Sequence, residues 1–130
     1  MADSNTDVEY LVSERTKGLP FSAAVRVGTT LYLSGQLGIG ADGKLVEGGI
    51  GPETKQTLEN IKATLEMYGS SLDHAVKMTV MLADIAKWGD MNAVYVTYFP
   101  NHFPARSALG VSGLAFGARV EIECVAVVKS

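Results

Sequence analysis

The sequence predicts an α+β domain with a mixed sheet and two helices packed on one of its faces. Three observations predict it. The chain is 130 residues long, the size of one hydrophobic core. Its periodicities run β, β, α, β, α, β, β, with strands and helices interleaved. Its last strand separates into one apolar row and one row that carries charge.

In chain order, residues 1–7 are small and polar and read as a disordered lead-in, leaving 8–130 as the domain. Two β-prone runs, Ser22 to Val27 and Thr30 to Ser34, flank Gly28-Thr29 and predict a tight hairpin. Ala41-Asp42-Gly43 marks a further turn. Leu58, Ile61, Leu65 and Tyr68 then recur at three- and four-residue steps. They predict an amphipathic helix from Pro52 to Tyr68, with Pro52 in its first turn and Gly69 as its C-terminal cap. Val76 to Leu82 alternates as a strand, and Asp84 is placed to cap the next helix. Trp88, Met91, Tyr95 and Tyr98 share a stripe of that second helix, Ile85 to Phe99, which Pro100 stops. The stripe reads as core material rather than a cofactor box. A strand through Arg106 and a last strand from Ala118 to Val128 complete the sheet. In the last strand Val120, Ile122, Cys124, Ala126 and Val128 face the helices, while Arg119, Glu121, Glu123, Val125 and Val127 face away. A sheet face that mixes carboxylates with Met81, Val125 and Val127 favours self-association.

Composition narrows the function. The chain is 47% hydrophobic and 19% charged, far from the signature of disorder. Its formal charge of -3 gives no general attraction to phosphate backbones or anionic membranes, so neither nucleic acid nor a membrane is the expected partner. One cysteine and two well-separated histidines, His74 and His102, argue against a metal site. MADSNTDVEY lacks the apolar run of a secretory signal, and no stretch has the length of a spanning helix, so a cytoplasmic setting is expected.

Two segments place charge where a strand is expected: Asn101 to Ser107, and Val120 to Glu123. An arginine in such a position needs a partner, and its planar fork matches a carboxylate at two points. Two readings stay open for Arg106: a structural ion pair with Glu121 or Glu123, or a grip on a carboxylate ligand. Glu121 and Glu123 lie roughly 7 Å apart on one strand face, which by itself marks a solvated face rather than an acid/base pair. Ser34-Gly35-Gln36 closes the second strand with a hydroxyl, a glycine and an amide. Ser34 reads poorly as a nucleophile, because no histidine accompanies it in sequence. His102 reads as a loop histidine, and Cys124 as a small buried apolar residue.

Four segments together form a pattern: Leu33-Ser34-Gly35-Gln36, Asn60-Ile61-Lys62, Phe103-Pro104-Ala105-Arg106-Ser107, and Val120-Glu121-Ile122-Glu123-Cys124-Val125-Ala126. It resembles the reactive intermediate deaminase (Rid, or YjgF) superfamily, over about Pro20 to Val128. The resemblance implies a chorismate-mutase-like fold of the bacillus type. It also implies a homotrimer whose sheets enclose a central barrel, with sites in the clefts between subunits. It implies hydrolysis of 2-aminoacrylate and related 2-imino acids to 2-keto acids and ammonia, with no cofactor. Carried over by motif, Arg106 binds the carboxylate, Glu121 positions the water, and Ser34 and Gly35 line the pocket. Phe21 and Ala108 stand where the commonest pattern has tyrosine and cysteine. Phe21 keeps an aromatic wall without its hydroxyl, and Ala108 leaves more room. Two rival functions accompany this reading: a regulatory trimer that binds small carboxylates without turnover, and RNA cleavage or translational inhibition of the kind attached to some relatives.

Overall fold

The computed structural model describes residues 7–129, so most of the expected lead-in, residues 1–6, lies outside the described residues. Seven strands and two α-helices run in order: β1 (Val8–Leu11), β2 (Ala24–Val27), β3 (Thr30–Leu33), β4 (Gln36–Leu37), α1 (Ile50–Met67), β5 (Ala75–Leu82), α2 (Trp88–Tyr95), β6 (Ala105–Gly110) and β7 (Val120–Val127). They form one mixed sheet in the order β1-β2-β3-β7-β5-β6, with β4 also paired to β7. β5 and β6 are parallel, and the other pairs are antiparallel. Among the described residues, no helix is long and apolar enough to cross a membrane.

The expected α+β architecture is present, with both helices against one face. Their contact residues Leu58, Ile61, Leu65, Met91 and Tyr95 are buried with Leu31, Met78, Val80, Leu82, Val120, Ile122 and Cys124 from the sheet. The β2–β3 hairpin turns on Gly28 at φ 59°, a backbone conformation that suits glycine. The turn at 41–43 closes as predicted, with Gly43 N–H donating to the Gly40 carbonyl at 3.0 Å. α1 ends in a Schellman motif: Ser70 N–H donates to the Leu65 carbonyl at 2.8 Å, and Gly69 takes φ 86°.

The second helix departs from the single run predicted for Ile85 to Phe99. It opens with a 3-10 turn at Ile85–Lys87, capped by the Asp84 carboxylate, which accepts from Ala86 N–H at 3.0 Å. The α-helical part then covers Trp88–Tyr95, and a second 3-10 turn spans Val96–Tyr98. β-Branched Val94, Val96 and Thr97 favour this tightening, and the Thr97 hydroxyl donates to the Val94 carbonyl at 2.6 Å. The stripe is also less of a core than expected. Met91 and Tyr95 are buried, but Trp88 is 41% exposed.

Two polar ties fix α1 to the sheet. Asn60 Nδ2 donates to the carbonyls of Leu37 and Ile39, at 3.0 and 2.9 Å, and so anchors β4. The Glu53 carboxylate, 0% exposed, accepts from Arg119 Nη1 at 2.7 Å and from Arg119 N–H at 2.9 Å. Arg119→Ala would leave that buried charge with its backbone donor alone. The Arg119 side chain is itself 57% exposed, so unfolding by urea is expected to show a loss of about 1–2 kcal/mol, less than breaking a fully buried pair costs.

Candidate active site

Arg106 lies on β6, which among the described residues is an edge strand paired with β5 alone. Its register partner is Met78, which is also opposite Cys124, so Arg106 projects to the helix-covered side of the sheet. There α2 presents Trp88, Asn92 and Tyr95, at helical steps of four and three, to the guanidinium. Nη1 donates to Asn92 Oδ1 at 2.7 Å. The guanidinium carbon stands 4.6 Å from the Tyr95 ring centroid and 5.5 Å from that of Trp88. Both rings stabilise the cation through their faces without neutralising it. Burial pushes the Tyr95 phenol up to about 12, so it stays uncharged beside Arg106. Among the described residues no carboxylate lies within ion-pairing distance of Arg106. The structural ion pair with Glu121 or Glu123, open in sequence, is therefore absent within the chain.

Beside the guanidinium is a cavity of about 270 Å³ lined by Asn92, Tyr95, Val96, Phe103, Pro104 and Arg106. It is of metabolite size, at the lower edge of ligand pockets. Ala108, two residues along β6, shares the face of Arg106 but packs against the core and does not line this cavity.

Glu121 is elsewhere. It pairs with Met81 of β5 and Leu37 of β4 and projects to the open side of the sheet, where Glu123 also lies. Burial first, and the neighbouring Glu123 second, raise its carboxyl above the ordinary range. Gly35 sits directly against it: a Cβ built there would fall 2.0 Å from Glu121 Oε2. Gly35 belongs to a bulge, because Tyr32 opposes Val125 whereas Gln36 opposes Ile122, which leaves one residue extra on the β3–β4 side. The bulge brings the backbone up to the carboxylate. Ser34, in the same bulge, donates its hydroxyl to the Ser22 carbonyl at 2.6 Å, so its proton is committed to the backbone. Phe21, 50% exposed, precedes Ser22 on that rim.

The residues singled out in sequence thus fall into two groups. Arg106 and Ala108 belong to the helix-covered side of β6, whereas Glu121, Gly35, Ser34 and Phe21 belong to the open side around β7 and the bulge. Two strand spacings and three residues of rise put Arg106 and Glu121 roughly 14 Å apart at Cα, on opposite faces. They do not meet within one chain. Sequence reasoning missed Asn92 as a guanidinium partner and assigned Trp88 and Tyr95 to the core. The available signal was the spacing of Trp88, Asn92 and Tyr95 along one helix face, next to an arginine whose partner was unknown.

Among the described residues no cluster of three or more His, Cys, Asp or Glu is placed to hold a metal ion. The polar groups beside the cavity are the Arg106 cation and the Asn92 amide, which suit an anionic organic ligand, whereas the Glu121 carboxylate and the Ser34 hydroxyl belong to the other face.

Comparison with known proteins agrees in kind. A family model described as Endoribonuclease L-PSP matches residues 15–128. The 2-iminobutanoate/2-iminopropanoate deaminase of Mus musculus is 46% identical over 109 residues, 83% of this chain and 81% of its own length. The crystal structure of yeast YEO7 superposes with a TM-score of 0.89 at 38% identity, covering 95% of this chain and 100% of that one. YyfA of Yersinia pestis, described as a conserved Rid family protein of unknown function, gives a TM-score of 0.87 at 38% identity, covering 94% and 100%. From the family match across most of its length and these relatives, the chain belongs to the Endoribonuclease L-PSP, or YjgF/Rid, family.

Proposed function

We propose that the chain is an imine deaminase. It hydrolyses 2-imino acids and their enamine tautomers, 2-aminoacrylate included, to 2-keto acids and ammonia. The observation that carries this reading is the Arg106 guanidinium, held in place by Asn92, Tyr95 and Trp88 yet not neutralised, at the mouth of a cavity. The names of the curated relatives support it.

The chemistry comes from the groups present. Arg106 receives the carboxylate in a two-point grip through donors not used on Asn92. An imine carbon is already electrophilic, so positioning and one proton acceptor supply most of what hydrolysis needs. Glu121 takes a proton from water as the oxygen bonds to the C2 carbon and the C=N pair moves to nitrogen. Glu121 passes that proton to the nitrogen, which gives the carbinolamine. In the collapse Glu121 takes the hydroxyl proton and delivers it to the nitrogen as the C–N bond breaks, so ammonia leaves a 2-keto acid and the carboxylate is restored. No redox change occurs, so the reaction asks for no redox cofactor.

Because Arg106 and Glu121 diverge across the sheet, the site is completed by a second copy: Arg106, Asn92 and the cavity from one subunit, Glu121, Gly35, Ser34 and Phe21 from the next. A homotrimer of the chorismate-mutase-like kind, with open sheet faces around a central barrel, meets this need. The open face offers a row of Tyr10, Val25, Tyr32 and Val125, and among the described residues the β6 edge is left unpaired beside exposed Leu109. A cytoplasmic setting suits the buried free thiol of Cys124. RNA cleavage, which the family model's description names, draws little support from a formal charge of -3 and an apolar cavity wall.

Mixing two inactive chains tests the shared site. Arg106→Ala and Glu121→Gln are each expected to lose turnover of freshly generated 2-iminopropanoate. Refolded together in equal amounts, they form random trimers in which about one quarter of the sites pair an intact Arg106 with an intact Glu121. Recovery of about that share of activity is the expected result. No recovery, from mixed trimers shown to form, would place both groups in one chain's site. Ligand binding without turnover by the unaltered protein would favour the regulatory reading.

A further inference from the structure

We infer that Phe103 sets which substrate side chain the site accepts, and that Asp73 is the positioning residue that holds Phe103 in place. This rests on the imine deaminase reading and deepens it, by assigning the cavity beside Arg106 to the side chain of the 2-imino acid.

The cavity has a polar end and an apolar end. Arg106 and Asn92 supply the polar groups, while Tyr95, Val96, Phe103 and Pro104 supply carbon surface. A ligand anchored by its carboxylate on the guanidinium has its side chain within reach of that wall. A methyl group leaves Phe103 uncovered, whereas a branched or aromatic side chain removes apolar surface from water on both partners.

Phe103 is 62% exposed, yet the loop that carries it is tied down. Asn101 Nδ2 donates to Asp73 Oδ1 at 2.9 Å, and His102 Nε2 donates to the Asp73 carbonyl at 2.8 Å. Asp73 Oδ1 also lies 3.8 Å from His102 Nε2, an ion pair whenever the imidazole is protonated. The Phe103 ring then stands 6.4 Å from Phe99, itself 4.8 Å from Tyr95, the ring beneath the Arg106 guanidinium. Three consecutive loop residues are thereby fixed, two by Asp73 and one by an aromatic row that runs to the carboxylate grip. An exposed aromatic ring held this firmly at the rim of a cavity is a wall built for an apolar group.

The test uses stable keto acids in place of reactive imines. Dissociation constants of pyruvate and 4-methyl-2-oxopentanoate are read from the fluorescence of Trp88, the chain's one tryptophan, which faces Arg106. The branched acid is expected to bind about tenfold tighter, the low end of what added methylenes gain in an apolar pocket. Phe103→Ala should reduce that ratio to about threefold or less while leaving pyruvate binding within about twofold. Asp73→Ala should act in the same direction, and Asp73→Asn, which keeps an oxygen for Asn101, should restore the ratio. A merely structural role would weaken both acids alike. Equal affinity in the unaltered protein, or a ratio that Phe103→Ala does not move, overturns the assignment. Branched-acid preference without hydrolysis of any imine would sustain it and overturn the deaminase reading, while hydrolysis without preference would do the reverse. Failure of both acids to bind would overturn both.

Discussion

Arg106→Lys is expected to lower kcat/KM for 2-iminopropanoate by about 10²- to 10³-fold, although it keeps the positive charge. The cradle on α2 explains the size of the loss. Asn92 Oδ1 takes a hydrogen bond from Nη1 at 2.7 Å, and the rings of Tyr95 and Trp88 pack around a planar group. A guanidinium can satisfy Asn92 and still offer two donors in one plane to a carboxylate. An ammonium has three donors pointing in different directions, so it serves Asn92 or the ligand's two oxygens, not both with good geometry. Truncating a desolvated charged hydrogen bond costs about 2–5 kcal/mol, which brackets the expected loss. Most of it should appear as weaker binding of carboxylates, with an unchanged melting temperature to show that the fold is intact. Near-normal activity in the lysine variant would mean that Arg106 does not hold the substrate.

The sequence showed where Arg106 and Glu121 stand on their strands but not that they face apart. Strand periodicity fixes each side chain relative to its own neighbours. Relating one strand to another needs the pairing register, and β5 runs between β6 and β7 with Met78 opposite Arg106 and Met81 opposite Glu121. Long-range pairing of that kind leaves no local trace. α1 was legible because its stripe, its proline and its Gly69 cap all agree. α2 was legible in place but not in role. The period that puts Met91 and Tyr95 into the core also puts Trp88 and Asn92 at its rim, and an apolar stripe does not announce which ring will lie under a guanidinium. β1 and β4 escaped notice for different reasons. Val8–Leu11 is a short, exposed edge, and Gln36–Leu37 is two residues pinned by Asn60 from across the core rather than by their own propensity. The motif Asn60-Ile61-Lys62, part of the family resemblance, therefore owes its asparagine to holding β4 against Glu121's strand.

Glu121→Gln is expected to lower kcat by about 10²-fold, with little change in carboxylate binding, because general-base assistance is worth about that much and Arg106 is untouched. The pH profile separates this role from a structural one. Burial and Glu123 raise the Glu121 carboxyl, and the working form is the carboxylate, so activity of the unaltered protein should fall as pH drops through that raised value. Glu123→Gln removes the second cause and should move the acid limb to lower pH without abolishing turnover. Stability carries the opposite sign. A carboxyl whose pKa is raised on folding contributes fully below its unfolded value, and that contribution is lost as pH rises through the folded one. Above that raised value the protein holds Glu121 ionised at some cost, and there Glu121→Gln should raise the melting temperature while it slows the reaction. Gly35→Ala tests the same carboxylate from the other side. Its methyl group would clash with Oε2, so Glu121 must swing away, and turnover should fall with the base still present. A Glu121→Gln protein that keeps its rate, or an acid limb that Glu123→Gln leaves in place, would remove Glu121 from the proton transfers.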